Sequence, residues 1–414
     1  MRKNIFGLLI ALMVILVLFS RGDESLFSPA IIDHQVVKKA FSFLEEKREE
    51  IIQNWISLTE MPAPSGKEER RAKYLYQIFQ NLGLEQVQID KIGNVHGIWP
   101  GQRGGKKILI SAHMDTVFQG IDSIKVRREG NVLKAPGIGD DTASLINLIW
   151  TIKAFQASNF QPRNTLYFLA TVGEEVGFVG MKAFLEKTEE KFDLVLALDG
   201  DLGKIHYGAL GFGGGKVIFR GRGAHTMQSR GVPNPALAVA KTISRLYQID
   251  CAASPVEKWT ILNVGMIGGG RVTNAVPQEA YLTIDLRSAS QEELTRVQEQ
   301  IKEICAEVAR EERVDLEISL NQNSPAYQLP GAKDSYLVKT ARDVLEFLKV
   351  KDIEVDPLGS TEANVGLAHG ILSINLGRTY GRFKHSLREE ADIDGLFVAL
   401  KQIVLVLFSL EKAS

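Results

Sequence analysis

Apolar positions divide the chain into distinct textures. Behind Arg2 and Lys3 runs an unbroken apolar stretch from Ile5 to Phe19, followed by a polar joint near Gly22 to Pro29. QVVKKAFSFLEEKREEIIQNWISLTEM then carries apolar residues at helical spacing and predicts one amphipathic helix. PAPSGKEERRAKYLYQIFQNLGL predicts a loop and a second helix that stops at Gly83. Beyond it, KKILISAHMD, TLYFLATVGEE and FDLVLALDGD read as strands, separated by the helical patterns DTASLINLIWTIKAFQ and GFVGMKAFLEKTEE. That alternation predicts an α/β sheet with several parallel strands.

Between about Lys204 and Ser324 the order changes to strand (GGGKVIFRGRGAHT), helix (NPALAVAKTISRLYQI), two strands (WTILNVGMIGGG and EAYLTIDLRS) and a long helix opening on Ser290. This is the order of an α+β, ferredoxin-like insert. The first texture returns with DSYLVKTARDVLEFL and ILSINLG and closes on a helix from about Asp392. The expected fold class is therefore α/β, a mixed sheet with helices on both faces, interrupted by an α+β lid. Its boundaries are 1–27 for a signal peptide or membrane anchor, 28–208 and 323–414 for the sheet domain, and 209–322 for the lid. The length of 414 residues and the 45% hydrophobic content agree with two cores.

Charge and cysteine usage narrow the function classes. A net charge of -1 leaves no electrostatic footprint for nucleic acid. Cys251 and Cys305 form no CxxC, which excludes a cysteine metal site and a disulfide framework and leaves a single bridge open. The charged start and apolar run predict export, as a cleaved signal or a retained anchor, with the globular part extracytoplasmic and the membrane touched only there.

Polar clusters close three of the expected strands: His113 with Asp115, Glu174 with Glu175, and Asp199 with Asp201. Ligands gather beyond the carboxyl ends of strands in open α/β sheets, so three such clusters predict one site. Two adjacent buried carboxylates need a cation or a shared proton to offset their repulsion. His113, Asp140, Glu175, Asp199 and His385, with Glu174 beside them, exceed what one tetrahedral zinc requires and suit two zincs sharing a carboxylate. One glutamate of GEEVG can ligate while its neighbour serves as general base. Asp115, two residues after His113 on a strand, shares its face and can orient the imidazole.

SAHMDTV, GIGDDTAS, TVGEEVG, LALDGD, GRGAHT, GGGRVTNAVPQEAYLTIDLRS and GSTEANVGLAHGILSINLGRTYGRFKHS, in that order from about residue 45 to the C-terminus, resemble the motifs of the co-catalytic zinc peptidases. That family contains peptidase T, the glutamate carboxypeptidases, acetylornithine deacetylase, succinyl-diaminopimelate desuccinylase and the aminoacylases. LDGD and GSTEAN place the nearest resemblance with peptidase T. The resemblance implies two zinc ions per chain, with cobalt or manganese able to substitute. It makes His113 and His385 terminal ligands, Asp140 bridging, Glu175 and Asp199 on either side, and Glu174 the base, with a cis peptide at Asp140–Asp141. It also implies substrate contacts from His225, Asn274 and Arg287, and a homodimer formed through the lid in which His225 reaches the partner's site. Glu362, Ser386 and Leu387 depart from the family pattern around the pocket without removing a ligand.

Arg378, with Tyr380 and Arg382, is a further candidate for reading a substrate carboxylate. His34, His96, His206 and His369 are expected to be structural. GFGGG and IGGGR lack the phosphate-loop spacings and read as turns. The function expected is a zinc exopeptidase acting on a small peptide or N-acyl amino acid, an aminopeptidase before a carboxypeptidase or deacylase. A non-catalytic peptide-binding protein is the alternative of another class.

Overall fold

The computed structural model describes residues 24–412; the run from Ile5 to Phe19, and the export role expected of it, lie outside the described residues. The chain divides into two compact units, one reaching Tyr207 and resuming at Leu329, the other Gly208–Gln328.

The first unit opens with α1 (Gln35–Glu46) and α2 (Arg48–Thr59). The single helix expected here is divided at Lys47, whose φ of -91° and ψ of 10° leave the helical region. No glycine or proline marks the break, and both segments pack on the same later helix. After α3 (Glu69–Asn81) come β1 (Glu85–Ile89), β2 (Val95–Trp99) and β3 (Lys107–His113), then α4 (Thr142–Ala157), β4 (Thr165–Thr171), α5 (Val179–Lys187) and β5 (Leu194–Leu198). β1 and β2 were not legible: β1 is a largely exposed edge, and its only half-buried residue is Val87.

The second unit contains β6 (Gly211–Arg220), α6 (Pro235–Leu246), β7 (Thr260–Gly269), β8 (Glu279–Ser288), α7 (Gln291–Glu312) and β9 (Asp315–Ser324). Its antiparallel sheet has the order β7-β8-β6-β9, a ferredoxin-like arrangement. β9, along which Leu316, Ile318 and Leu320 alternate, completes it as a strand beyond those expected. Its length, and the pairing of Tyr327–Gln328 with Gly208–Ala209, carry this unit to Gln328 and not to 322. Cys305 lies in its core and Cys251 is half-buried, both as free thiols.

The chain returns to the first unit with α8 (Tyr336–Phe347), β10 (Leu372–Leu376) and α9 (Ile393–Leu410). The mixed sheet has the order β1-β2-β4-β3-β5-β10; β4, β3, β5 and β10 run parallel, and the hairpin β1-β2 runs antiparallel on one edge. α4 is buried on nearly every side, as an apolar all-round helix must be. α9 is apolar and long enough to cross a membrane, but 78% of it is buried, so it serves as a core helix. The parallel strands end level: His113 pairs with Thr171, and Leu376 with Leu198. The loops after them therefore open at one edge.

Candidate metal centre

His113 is the last residue of β3, Glu174 and Glu175 follow β4, and Asp199 follows β5. Asp140 arrives on the loop entering α4, where the Asp140–Asp141 peptide is cis, and His385 on the loop beyond β10, with φ +58°. The structure brings all five together with Glu174. Asp140 stands in the middle: its Oδ1 lies 3.2 Å from His113 Nε2 and its Oδ2 3.3 Å from His385 Nε2. His385 Nε2 is also 3.2 Å from Glu175 Oε1, and His113 Nε2 is 4.0 Å from Glu174 Oε2. Donor atoms of His113, Asp140, Asp141 and Asp199 lie within 4.8 Å of one another, and so do those of Asp140, Glu175 and His385. The two sets share Asp140. Glu175 Oε1 is buried with only the His385 imidazole beside it, at 3.2 Å, and so keeps acceptor capacity of the kind a cation satisfies. Imidazole with carboxylate donors suits zinc-type ions, so the residues fit a pair of divalent metals.

The side chains behind the donors explain the adjacent glutamates. Asp115, fully buried, has Oδ1 3.3 Å from His113 Nδ1 and accepts the Glu174 N–H at 2.9 Å. Its Oδ2 accepts the Glu175 N–H at 3.2 Å and the Ser65 hydroxyl at 2.6 Å. One carboxylate thus orients an imidazole and sets both glutamate backbones. Glu68, which the sequence did not reveal, accepts from Gly66 N–H at 3.0 Å and Gly173 N–H at 3.2 Å and pins the same turn. Arg71, also missed, is buried and donates to the carbonyls of Met114 and Met61. Burial lowers its pKa to about 10.

Electrostatics separate the carboxylates. Burial opposes the charge of Asp140, but Arg378, His113 and His385 outweigh it and hold Asp140 well below the usual range. Burial pushes Glu174 well above that range, opposed by His113 and reinforced by Asp199, Glu175 and Asp140. Burial would favour a neutral His113, yet Asp141, Glu174, Asp115 and Asp140 raise it well above its ordinary value. Asp140 and Glu175 raise the half-exposed His385 to about 10.

Arg378 is not the loop cation expected to meet a substrate. It is 2% exposed, and its guanidinium contacts Asp199, lies 3.1 Å from Asp140 Oδ2 and 3.3 Å from Asp141 Oδ1. Tyr380 is 41% exposed, and Arg382 projects into solvent. Glu389, unforeseen, is fully buried and accepts from the N–H groups of Gly137, Gly139 and Asp140 at 2.7, 3.0 and 2.8 Å.

His225, Asn274 and Arg287 belong to the second unit. The strand pair Ala224–His225 with Ala275–Val276 sets His225 beside Asn274, whose carbonyl accepts the Thr226 N–H at 2.9 Å. Both lie beyond the Glu279 end of β8, whereas Arg287 sits eight residues along that strand, bonded to Asp285. At ~3.3 Å per residue the separation is about 26 Å, so one copy of this unit cannot set all three around one small substrate. The other histidines are structural: His34 caps α1, His206 pairs with Asp356 at 2.8 Å, His369 bonds the Val365 carbonyl, and His96 bonds Gln88.

Glu362, at the start of the short helix Ala363–Ala368, is fully buried with Oε1 unpartnered. Burial raises its pKa to about 7, against the hydroxyls of Thr171 and Ser111. A carboxyl raised from ~4.5 stabilises the fold below pH ~4.5 and loses that contribution as pH climbs toward 7. Glu362→Gln is expected to remove this fall and to exceed the wild type by about 3 kcal/mol at pH 8. Urea unfolding across pH 4.5–8 measures it; parallel curves for the two proteins would refute the burial argument.

A family model described as Peptidase family M20/M25/M40 matches residues 109–407. The chain is 24% identical over 378 residues to the uncharacterized protein YqjE of Bacillus subtilis, covering 88% of this chain and 98% of that one. It is 27% identical over 267 residues to carboxypeptidase G2 of a Pseudomonas species, covering 61% and 62%. Among solved structures, the aminopeptidase PepT of Bacillus cereus superposes with a TM-score of 0.77 at 24% identity, over 88% of this chain and 98% of that chain. A tripeptidase of Staphylococcus aureus gives 0.78 at 20% identity, over 88% and 99%.

Proposed function

This chain belongs to peptidase family M20/M25/M40, hydrolases acting on peptide or amide bonds, and from that premise we propose that it is a dinuclear zinc exopeptidase releasing the N-terminal residue of small peptides. The observation that carries the reading is Asp140 standing between two imidazoles, with the buried Glu174 beside them. His113, Asp140 and Asp199 would hold one metal, and Asp140, Glu175 and His385 the other. A bound pair supplies Lewis acidity toward the scissile carbonyl and acidifies water.

The chain's own groups do the rest. Asp115 keeps the His113 ring turned toward the centre and fixes the backbone that carries both glutamates. Glu174 accepts a proton from the attacking water and returns it to the departing amine. Its burial raises its proton affinity, which makes it a stronger base than an exposed glutamate. The amine end of the substrate is favoured because Arg378 is already matched by three carboxylates and offers no free guanidinium to a substrate carboxylate. Val176, Phe383 and Leu387, exposed beside the donors in sequence, provide apolar surface for a peptide side chain.

The test is hydrolysis of tripeptides that are free, N-blocked or C-blocked by the zinc-loaded protein, read by mass spectrometry. The first residue is expected to be released from free and C-blocked peptides and not from N-blocked ones. Cleavage of N-blocked peptides or N-acyl amino acids would move the assignment to the carboxypeptidase or deacylase branch, in keeping with the name of the Pseudomonas relative.

The same reading includes export, resting on Arg2, Lys3 and the apolar run, which fractionation with protease protection tests. It also includes a homodimer through the second unit. Support for the dimer comes from β7, an edge strand exposing Ile261, Met266 and Ile267. Light scattering that finds monomers alone would remove it, together with a role for His225 in a partner's site.

A further inference from the structure

The turn that carries Glu174 and Glu175 also forms one wall of an apolar groove. Gly173 begins it at φ +61°, and a Cβ there would stand 3.2 Å from Val179 Cβ and 3.3 Å from Val176 Cγ2. The two valine side chains thus converge on Gly173, yet Val176 stays 63% exposed and Val179 46%. Ile89, the last residue of β1, is 39% exposed and lines the same groove, together with the buried Ala72 and Val172. The groove holds about 350 Å³, within the ~300–1,000 Å³ of small-molecule sites. Its lining also has their make-up, apolar side chains with a few polar groups.

The groove is held in shape before anything enters it. Asp90 Oδ1 accepts the N–H groups of Ile92, Gly93 and Asn94 at 2.9, 2.9 and 3.0 Å, which fixes the turn of the hairpin β1-β2. Asn94, fully buried, ties that turn to the opposite wall. Its Oδ1 accepts the Val172 N–H at 3.0 Å, and its Nδ2 donates to the Gly180 carbonyl at 3.0 Å. Glu68 completes the frame by accepting the Gly173 N–H at 3.2 Å. A groove ordered in advance spends little binding energy on being ordered.

Its position names the occupant. Gly173 and Val176 line it and bracket Glu174 and Glu175, so the groove begins one residue from a proposed metal donor and two from the proposed base. At ~3.3–3.6 Å per residue, a peptide whose scissile bond lies at Glu174 can seat a neighbouring side chain there. The charges at its rim, Glu69 and Lys73, have opposite sign and favour no charged side chain.

We propose that this groove is the specificity pocket for one apolar side chain of the peptide, of leucine or phenylalanine size, and that Ile89, Val176 and Val179 select it. This rests on the peptidase reading above and adds the substrate class. Because one wall is the turn that carries the base, a side chain packed on Val176 and Val179 also steadies Glu174, and the preference appears in kcat as well as in KM.

The test compares kcat/KM for tripeptides in which leucine, phenylalanine, alanine or aspartate stands at each position in turn, using wild type, Ile89→Glu, Val179→Lys and Leu237→Glu. All three replaced side chains are exposed, and urea midpoints check that folding is kept. The wild type is expected to prefer leucine to alanine about thirtyfold at one position, and Ile89→Glu and Val179→Lys to cut that ratio to about threefold. Leu237→Glu, the same kind of change on α6 of the second unit, is expected to keep the wild-type ratio. A wild type without preference, a ratio unmoved by Ile89→Glu and Val179→Lys, or an equal loss in Leu237→Glu would overturn the pocket while sparing the peptidase reading. If only N-blocked substrates are cleaved, the branch changes, and the same ratio read on N-acyl leucine against N-acyl alanine peptides judges the pocket. A wild type that hydrolyses none of them would overturn both.

Discussion

Glutamine in place of Glu174 is expected to lower kcat about a thousandfold, with metal content and KM close to wild type. The change is isosteric and removes only the ability to take up a proton. The Glu174 N–H would still donate to Asp115 Oδ1, and no assigned metal ligand is altered. Stability should not fall, because burial already disfavours charge on Glu174, and a neutral amide meets less opposition there than a carboxylate does. Single-turnover kinetics on the metal-replete variant, with zinc counted in the same sample, is the measurement. Turnover within tenfold of wild type would assign the proton transfer to another group.

Glu389→Ala is expected to cost about 3 kcal/mol or more of stability, because three buried N–H groups lose their acceptor together and each such loss costs ~1–3 kcal/mol. One of the three belongs to Asp140, which both donor sets share, and another to Gly139, where an added Cβ would lie 2.9 Å from Glu389 Oε1. Glu389 follows His385 by four residues, so one short segment delivers a donor to the centre and clamps the loop that delivers another. Metal retention should fall with stability. Urea unfolding of metal-free protein isolates the first effect, and metal content after dialysis reports the second. An unchanged unfolding midpoint would mean that water replaces the carboxylate and that the clamp has little energetic weight.

His113, Glu175 and Asp199 were legible because β3, β4 and β5 are short apolar runs that stop abruptly at ionisable residues, and buried charge at such a place has few structural explanations; His385, isolated in a loop nine residues beyond β10, rested on the family resemblance. What was lost depended on information that local pattern does not hold. β1 buries too little to alternate, and the alternation of β9 is short beside the long helical period of α7 that precedes it. Arg378, in a loop between glycines, has the sequence context of a solvated residue. Only the close approach of Gly377 to Asp201, the bond from its N–H to the Gly200 carbonyl and the bond from Asn147 to its own carbonyl turn it inward. Glu389 is one of two adjacent glutamates, and nothing in the sequence tells the buried one from its half-buried neighbour Glu390. The separation of Arg287 from His225 and Asn274 follows from strand register, which appears only once β8 is paired.

The centre is assembled from both ends of a divided unit: His113, Asp140, Glu175 and Asp199 precede the inserted residues Gly208–Gln328, and His385 follows them. Synthesis proceeds from the N-terminus at ~5–20 residues per second, so roughly 190 further residues, or about 10–40 s, separate the fourth donor from the fifth on the ribosome. For that interval β5 lacks its parallel neighbour β10, the Asp140 loop lacks the Glu389 clamp, and Asp199 lacks its guanidinium. On the proposed two-metal reading, hydrolytic competence is timed by chain length: the first half of the chain is armed only when the segment carrying His385 and Glu389 has emerged.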